Sequence, residues 1–320
     1  MITVEYSDEP DTNWNQRLLN SNLGSMQQTK EYAYSKKMLG GIPCFLKFIK
    51  SDGEIVGQLL ILLYSKLNKK GRFGKLLKKI TNNNYVLAKW VYGPIVFNEN
   101  YRDEISKELQ NFLKYKNFKI WGSEFPCQSI FSPSNSDNSF KIWGTFLINL
   151  KLNQTELWNN LNKHSARKNV KRSRERNITV REMTKKDLSL YYSMYVNYGK
   201  THPDVTLTFL EKQWDILNPI GYSGFIAFEN DFPIGAIRVS SFNGYINEYS
   251  ILRSERDITE KLYAQDLLKW NIIEWGIKKN CSYYDLSGIN PKPENSKEKG
   301  IFRYKQKWGG NLIKYNILIS

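Results

Sequence analysis

The apolar positions fall into two rhythms that alternate along the chain. A period of two marks residues 44–50 and 54–64 as strands, joined through Ser51-Asp52-Gly53-Glu54, where glycine accepts a positive φ. Residues 85–91 predict a further strand ending at Gly93-Pro94. Ile105, Leu109 and Leu113, four apart, put an apolar stripe on a helix over 103–116, and 118–124 returns as a strand. Short helices are expected at 13–22 and 30–39, and an exposed basic loop at 66–84.

The same order then recurs. Phe45-Leu-Lys-Phe48, a charged turn and Ile55-Val56-Gly57-Gln58-Leu59 parallel Phe225-Ile-Ala-Phe228, a charged turn and Pro233-Ile234-Gly235-Ala236-Ile237. Each hairpin is followed by a strand, an amphipathic helix (103–116; 259–278) and another strand (118–124; 283–287). Agreement of four elements in order implies two copies of one α+β unit, each a mixed sheet flanked by helices.

Between the copies lies 153–177. Asn153 followed by Glu156 starts a helix in the manner of a capping box, and Leu157, Leu161, Ala166 and Val170 form a sparse apolar line. From Lys163 to Arg176 there are seven basic residues, Lys163, Arg167, Lys168, Lys171, Arg172, Arg174 and Arg176, against the single acid Glu175. Like charges at this spacing repel unless an anion neutralises them, so the basic helix 163–176 is either a solvated face or a phosphate grip. The loop adds Lys66, Lys69, Lys70, Arg72, Lys75, Lys78 and Lys79 with no acid.

Composition narrows the choice of partner. The 320 residues carry a formal charge of +16, which favours a polyanion such as nucleic acid, a diphosphate or an acidic membrane surface. With 9 Trp, 20 Tyr and 16 Phe, the chain is too apolar for general disorder. Cys44, Cys127 and Cys281 are scattered without a CxxC pair, which excludes a disulfide framework and a zinc-finger spacing and suits a reducing compartment. His164 and His202 alone give little material for a metal site or a Ser-His-Asp triad. The polar, acidic start does not resemble a signal peptide, and the longest apolar run, 59–64, is far short of the ~20 residues of a membrane span. The expectation is a cytoplasmic protein able to touch the inner membrane surface peripherally.

Several segments, in order, resemble the Fem family of non-ribosomal peptidyl transferases. They are Gln28-Thr-Lys-Glu-Tyr32-Ala33 with Lys36 and Gly40; Tyr92-Gly93-Pro94-Ile95-Val96; Glu124-Phe125-Pro126; and Arg167-Lys-Asn-Val-Lys171-Arg172-Ser173 before Ile178-Thr-Val180. Late in the chain come Tyr284-Asp285-Leu286-Ser287-Gly288 and Gly300-Ile301-Phe302-Arg303-Tyr304-Lys305-Gln306-Lys307-Trp308-Gly309-Gly310. Tyr32 stands for the usual Trp, Tyr92 for Arg and Glu124 for Asp.

The resemblance implies two tandem GNAT-like domains, 1–150 and 151–320, with a cleft between them; by analogy 311–320 can cross back to the first. It implies transfer of an amino acid from aminoacyl-tRNA to an amine of a nucleotide- or lipid-linked peptidoglycan-type precursor, hence a part in cell-wall biogenesis and cell shape. No cofactor is implied, and a monomer is expected. Lys305 matches the transfer site as the charge for an oxyanion, with Glu124 and Asp285 as candidate bases. Lys36 matches the grip on a nucleotide diphosphate, assisted here by Lys200 in place of the usual Arg. Arg167, Lys171 and Arg172 are candidates for phosphate contact, and Tyr249, Tyr304 and Trp308 for lining the site.

Two alternatives stand beside this reading. One is an acyl-CoA-dependent N-acyltransferase of the GNAT superfamily; against it, the segment 252–261, where a pyrophosphate loop belongs, has no glycine and three acids. The other, from a different class, is a non-catalytic module binding RNA or an anionic precursor, which would not need Lys305 with Gly309-Gly310.

Overall fold

A computed structural model describes residues 2–65, 86–131, 139–197 and 201–320. The expected basic loop 66–84 and Lys200 lie outside the described residues. The chain divides into two compact units, Met1–Trp143 with Lys314–Ser320, and Gly144–Ile313. The last residues therefore belong to the first unit.

In the first unit, β1 (Ile2–Ser7), β2 (Ile42–Lys50), β3 (Ile55–Ser65) and β4 (Val86–Trp90) form an antiparallel meander. The short β5 (Ile95–Val96) pairs with β3. Two helices precede the hairpin, α1 (Trp14–Asn20) and α2 (Lys30–Lys37), and α3 (Arg102–Lys116) carries the chain on to β6 (Lys119–Ser123). Because α3 makes a crossover, β6 runs parallel to β4. Its predicted stripe, Ile105, Leu109 and Leu113, is buried in the core of this unit, and Asn117 ends the helix in the left-handed region at φ 51°. Gly122 lets the Trp90 indole lie across the strands, since a Cβ there would stand 1.9 Å from that ring.

The second unit repeats the plan. Its elements are β7 (Ser139–Asn149) from Gly144 onward, α4 (Gln154–Asn160), α5 (Lys168–Glu175), β8 (Thr179–Glu182), α6 (Leu188–Asn197), α7 (Leu207–Leu217), β9 (Tyr222–Glu229), β10 (Phe232–Phe242), β11 (Tyr245–Arg253), α8 (Glu255–Thr259), α9 (Ala264–Lys278), β12 (Tyr283–Ile289) and α10 (Ser296–Gln306). The strands run in the order β8-β9-β10-β11-β12-β7, all neighbours antiparallel except β11 and β12. The end of β13 (Asn311–Ile319) pairs with β6 of the first unit through Ile317–Ile319. Thus each unit is a mixed sheet with helices, the α+β plan expected from the repeat.

Two expected helices are broken. The segment 153–177 forms α4 under the capping box of Asn153 and Glu156, extends at Leu161, then restarts as a π-helical turn, Lys163–Arg167, that runs into α5. Asn162 causes the restart: its Oδ1 accepts the N–H groups of His164 and Ser165 at 3.0 Å each. The helix expected over 259–278 begins at Ala264, because Lys261 and Tyr263 take positive φ values of 53° and 60°. Among the described residues no helix is long and apolar enough to cross a membrane.

Candidate functional site

In the second unit the pairing of β11 with β12 covers only Tyr245–Asn247 against Tyr283–Asp285. Each strand is irregular just where this pairing stops. On β11, Arg238 of β10 faces Ser250 and Val239 faces Glu248, which leaves Tyr249 as the extra residue of a bulge. On β12 the register against β7 shifts between Asp285 and Gly288, and Ser287 sits at φ 63°. A non-glycine residue there costs about 1–2 kcal/mol, so the surroundings must hold it. They do: the Ser287 N–H donates to Asp285 Oδ1 at 2.7 Å, and its hydroxyl donates to the Glu248 carbonyl at 2.8 Å.

The bulge turns backbone carbonyls toward α10. Asn295 caps that helix through the Glu298 N–H at 2.9 Å, which is why it starts at Ser296. In the last turn of α10, the Lys305 ammonium donates to the carbonyls of Ser287 at 2.9 Å and Gly288 at 3.2 Å. An ammonium has three N–H donors, so one remains for a ligand. Burial pushes the Lys305 amine down to about 8, the nearby Lys269 acting in the same direction and Glu248 and Asp285 opposing it.

Next to Lys305 lies a buried polar layer. Lys269, inside a helix buried on nearly every side, is ion-paired with Glu248, and both side chains are almost fully buried at 1% and 3% exposure. The Tyr284 hydroxyl donates to Glu248 Oε1 at 3.0 Å. The Tyr304 ring lies against the ammonium groups of Lys307 at 4.3 Å and Lys269 at 5.6 Å, and its buried hydroxyl has no partner among the described residues. Lys307 pairs with Asp266. Trp308, expected to line the site, is instead a core residue, 1% exposed within the apolar cluster of the second unit. Gly309 is backbone chemistry: at φ 74°, a Cβ would stand 2.6 Å from the Asn160 carbonyl oxygen.

The candidate bases take a different form. Asp285 is fully buried and accepts from the Tyr245 hydroxyl at 2.6 Å, the Asn247 amide at 3.1 Å, the Ser287 N–H and the Thr145 hydroxyl. Glu124, in the first unit, is also fully buried; its Oε1 accepts the N–H groups of Ile130 at 2.6 Å and of Phe131, and its Oε2 that of Asn316 at 2.7 Å. Carboxylates so engaged hold backbone in place, their oxygens facing donors of the chain itself. The expectation of a base at either position does not fit these surroundings.

Lys36, also in the first unit, lines a cavity of about 100 Å³ with Gln27, Tyr32, Tyr64 and Lys89. Burial and the Lys36 charge together hold the Lys89 amine below its ordinary range, and burial pushes the Tyr64 phenol up to about 12. In the second unit, Trp158, Lys163, His164, Arg167, Lys168, Lys171, Arg172 and the single acid Glu175 border a groove of about 430 Å³. Among the described residues, Lys163, Arg167, Lys168 and Lys171 have no carboxylate partner, whereas Arg174 pairs with Glu274 at 3.6 Å and Arg176 donates to the Glu260 carbonyl at 2.6 Å. The groove therefore gathers the cations of the basic run that have no ion pair among the described residues, with Glu175 as its one acid.

A further carboxylate bears on the alternative donor. Asp257, fully buried and ion-paired with Arg253, accepts the Ala264 N–H at 2.9 Å and so occupies the N-terminus of α9 from within the chain. Sequence reasoning missed Glu248, Lys269 and Lys89. Lys269 had a signal, a lone lysine inside the apolar run Leu267 to Ile273.

No family model and no curated protein matches this chain. Solved structures do. FemX superposes with a TM-score of 0.68 at 12% identity over 98% of this chain and 96% of its own. L-PGS from Bacillus licheniformis gives 0.56 at 11% identity over 98% and 92%. A tandem GNAT protein from the clavulanic acid biosynthesis pathway gives 0.55 at 10% identity over 100% and 97%. At such identity the likeness concerns the fold: two mixed sheets in succession, each with its helices, are the Fem-like tandem GNAT fold.

Proposed function

We propose that this chain is an acyltransferase of the Fem type, forming an amide between an amino acid carried on tRNA and an amine of a cell-envelope precursor. The observation that carries the reading is the Lys305 ammonium, held at the end of the β11–β12 pairing with one donor uncommitted. The amine attacks the ester carbonyl, a C–N bond forms, the ribose oxygen departs, and the proton lost by the amine passes to that oxygen. Lys305 stabilises the oxyanion formed on the way. Neither Glu124 nor Asp285 is given the proton; Asp285 acts as a positioning residue through the Ser287 bulge.

The groove beside Arg167, Lys168 and Lys171 supports a nucleic-acid donor, since unneutralised cations in a row suit a phosphodiester chain. Acyl-CoA is disfavoured: a pyrophosphate at the N-terminus of α9 would meet the Asp257 carboxylate, already bonded to Ala264, and Asp266 in the first turn. The neighbouring ammonium groups of Lys36 and Lys89 support an anionic acceptor such as a nucleotide- or lipid-linked precursor. Incubation with radiolabelled aminoacyl-tRNAs, or with labelled acetyl-CoA, and candidate precursors tests the donor. Loss of label from tRNA into the acceptor is expected; transfer from CoA alone would overturn the reading.

A further inference from the structure

Two buried lysines of the second unit each have an acid, Lys269 with Glu248 and Lys307 with Asp266, and Lys305 has the carbonyls of Ser287 and Gly288. Arg253, more exposed, has Asp257. Arg238 has no carboxylate among the described residues. Its guanidinium lies on β10, opposite Ser250 and beside the Tyr249 bulge, with the Tyr191 ring 4.7 Å and the Tyr222 ring 5.7 Å from its central carbon. Its Nε donates to Ser250 Oγ and its Nη1 to Gln213 Oε1, each at 3.3 Å, long bonds to neutral acceptors. The residue as a whole is half-buried, and its Nη2 edge has no hydrogen-bond partner among the described residues.

A guanidinium enclosed by apolar and aromatic surface is normally matched by a carboxylate or a phosphate, because its planar fork of donors suits two oxygens. Here the chain supplies the aromatic walls, two neutral acceptors and an unpartnered Nη2 edge, but no anion among the described residues. We propose that Arg238 is the anchor of a ligand site on the second unit for a free carboxylate, as carried by an amino acid or peptide. A monoanion is favoured over a phosphomonoester, since one cation among Tyr191, Tyr222 and Tyr249 balances one charge, and a dianion would leave a second charge unmatched beside apolar rings. The site is independent of the donor assigned above.

The test uses the full chain and three probes: N-acetylalanine, its neutral amide, and methyl phosphate. The reporter is the Nε–Hε NMR resonance of Arg238, assigned by its loss in Arg238→Lys. N-acetylalanine should shift this resonance and bind about ten-fold or more tightly than the amide, the margin expected of a charge-assisted fork. Gln213→Glu should place a carboxylate of the chain itself on Nη1, abolish probe binding and raise the melting temperature. That variant must fold to give this result, so it separates loss of a site from loss of structure. Equal binding of acid and amide, preference for methyl phosphate, or unchanged probe binding in Gln213→Glu would each overturn the proposal.

Discussion

Breaking the Lys269–Glu248 pair offers a quantitative test of how the floor of the Lys305 site is held. Lys269→Met removes one charge from a pair whose side chains are 1% and 3% exposed, leaving Glu248 buried beside the Tyr284 hydroxyl without its ion-pair partner. Orphaning one member of such a pair costs about 3–5 kcal/mol, which is about two to four orders of magnitude in the unfolding equilibrium. With a urea dependence of about 2 kcal/mol per molar, the midpoint should fall by about 1.5–2.5 M. Glu248→Gln should cost a similar amount, because it leaves the ammonium without its counter-charge. The double variant should cost much less than the sum, since no buried charge is left uncompensated. Urea unfolding followed by tryptophan fluorescence measures all three. A double variant that loses the full sum of the single losses would refute the reasoning, because the two charges would then be acting independently.

Two further outcomes follow from the charges. Replacing Lys163, Lys168 and Lys171 with Gln should weaken tRNA binding and reduce the slope of log K against log salt by about two to three, near one for each phosphate that is no longer neutralised; filter binding between low and moderate salt measures it, and an unchanged slope would make the groove an ordinary solvated face. Since burial holds the Lys305 amine near 8, a reaction that needs its cation is fullest below that pH and declines above it. Lys305→Arg should remove this falling limb and keep the rising limb set by the acceptor amine, as read from kcat/KM against pH.

The period-two strands and the stripe of Ile105, Leu109 and Leu113 were legible because burial imposes a rhythm on apolar residues. The duplicated hairpin was legible for the same reason, as was the basic run 163–176 as a local excess of charge. What escaped was set by contacts distant in sequence. Glu248 and Lys269 stand 21 residues apart, and only the packing of α9 on the sheet joins them. Glu124 and Asp285 looked like bases because a lone acid at a strand end gives no hint of the donors that converge on it from Phe131 and Asn316, or from Tyr245 and Thr145. The restart at Asn162 was in the letters, as a second capping residue ahead of Val170, but the apolar line running through it suggested one continuous helix.

The central claim is that the Lys305 ammonium carries charge for amide formation from aminoacyl-tRNA. Single-turnover transfer of labelled amino acid, compared between the natural chain and Lys305→Met with tRNA binding measured alongside, tests it most directly. A loss of about a hundred-fold or more in the transfer rate with tRNA affinity unchanged is predicted, the effect expected when an oxyanion loses its donor. Transfer at the natural rate by the Met variant would contradict that role for Lys305.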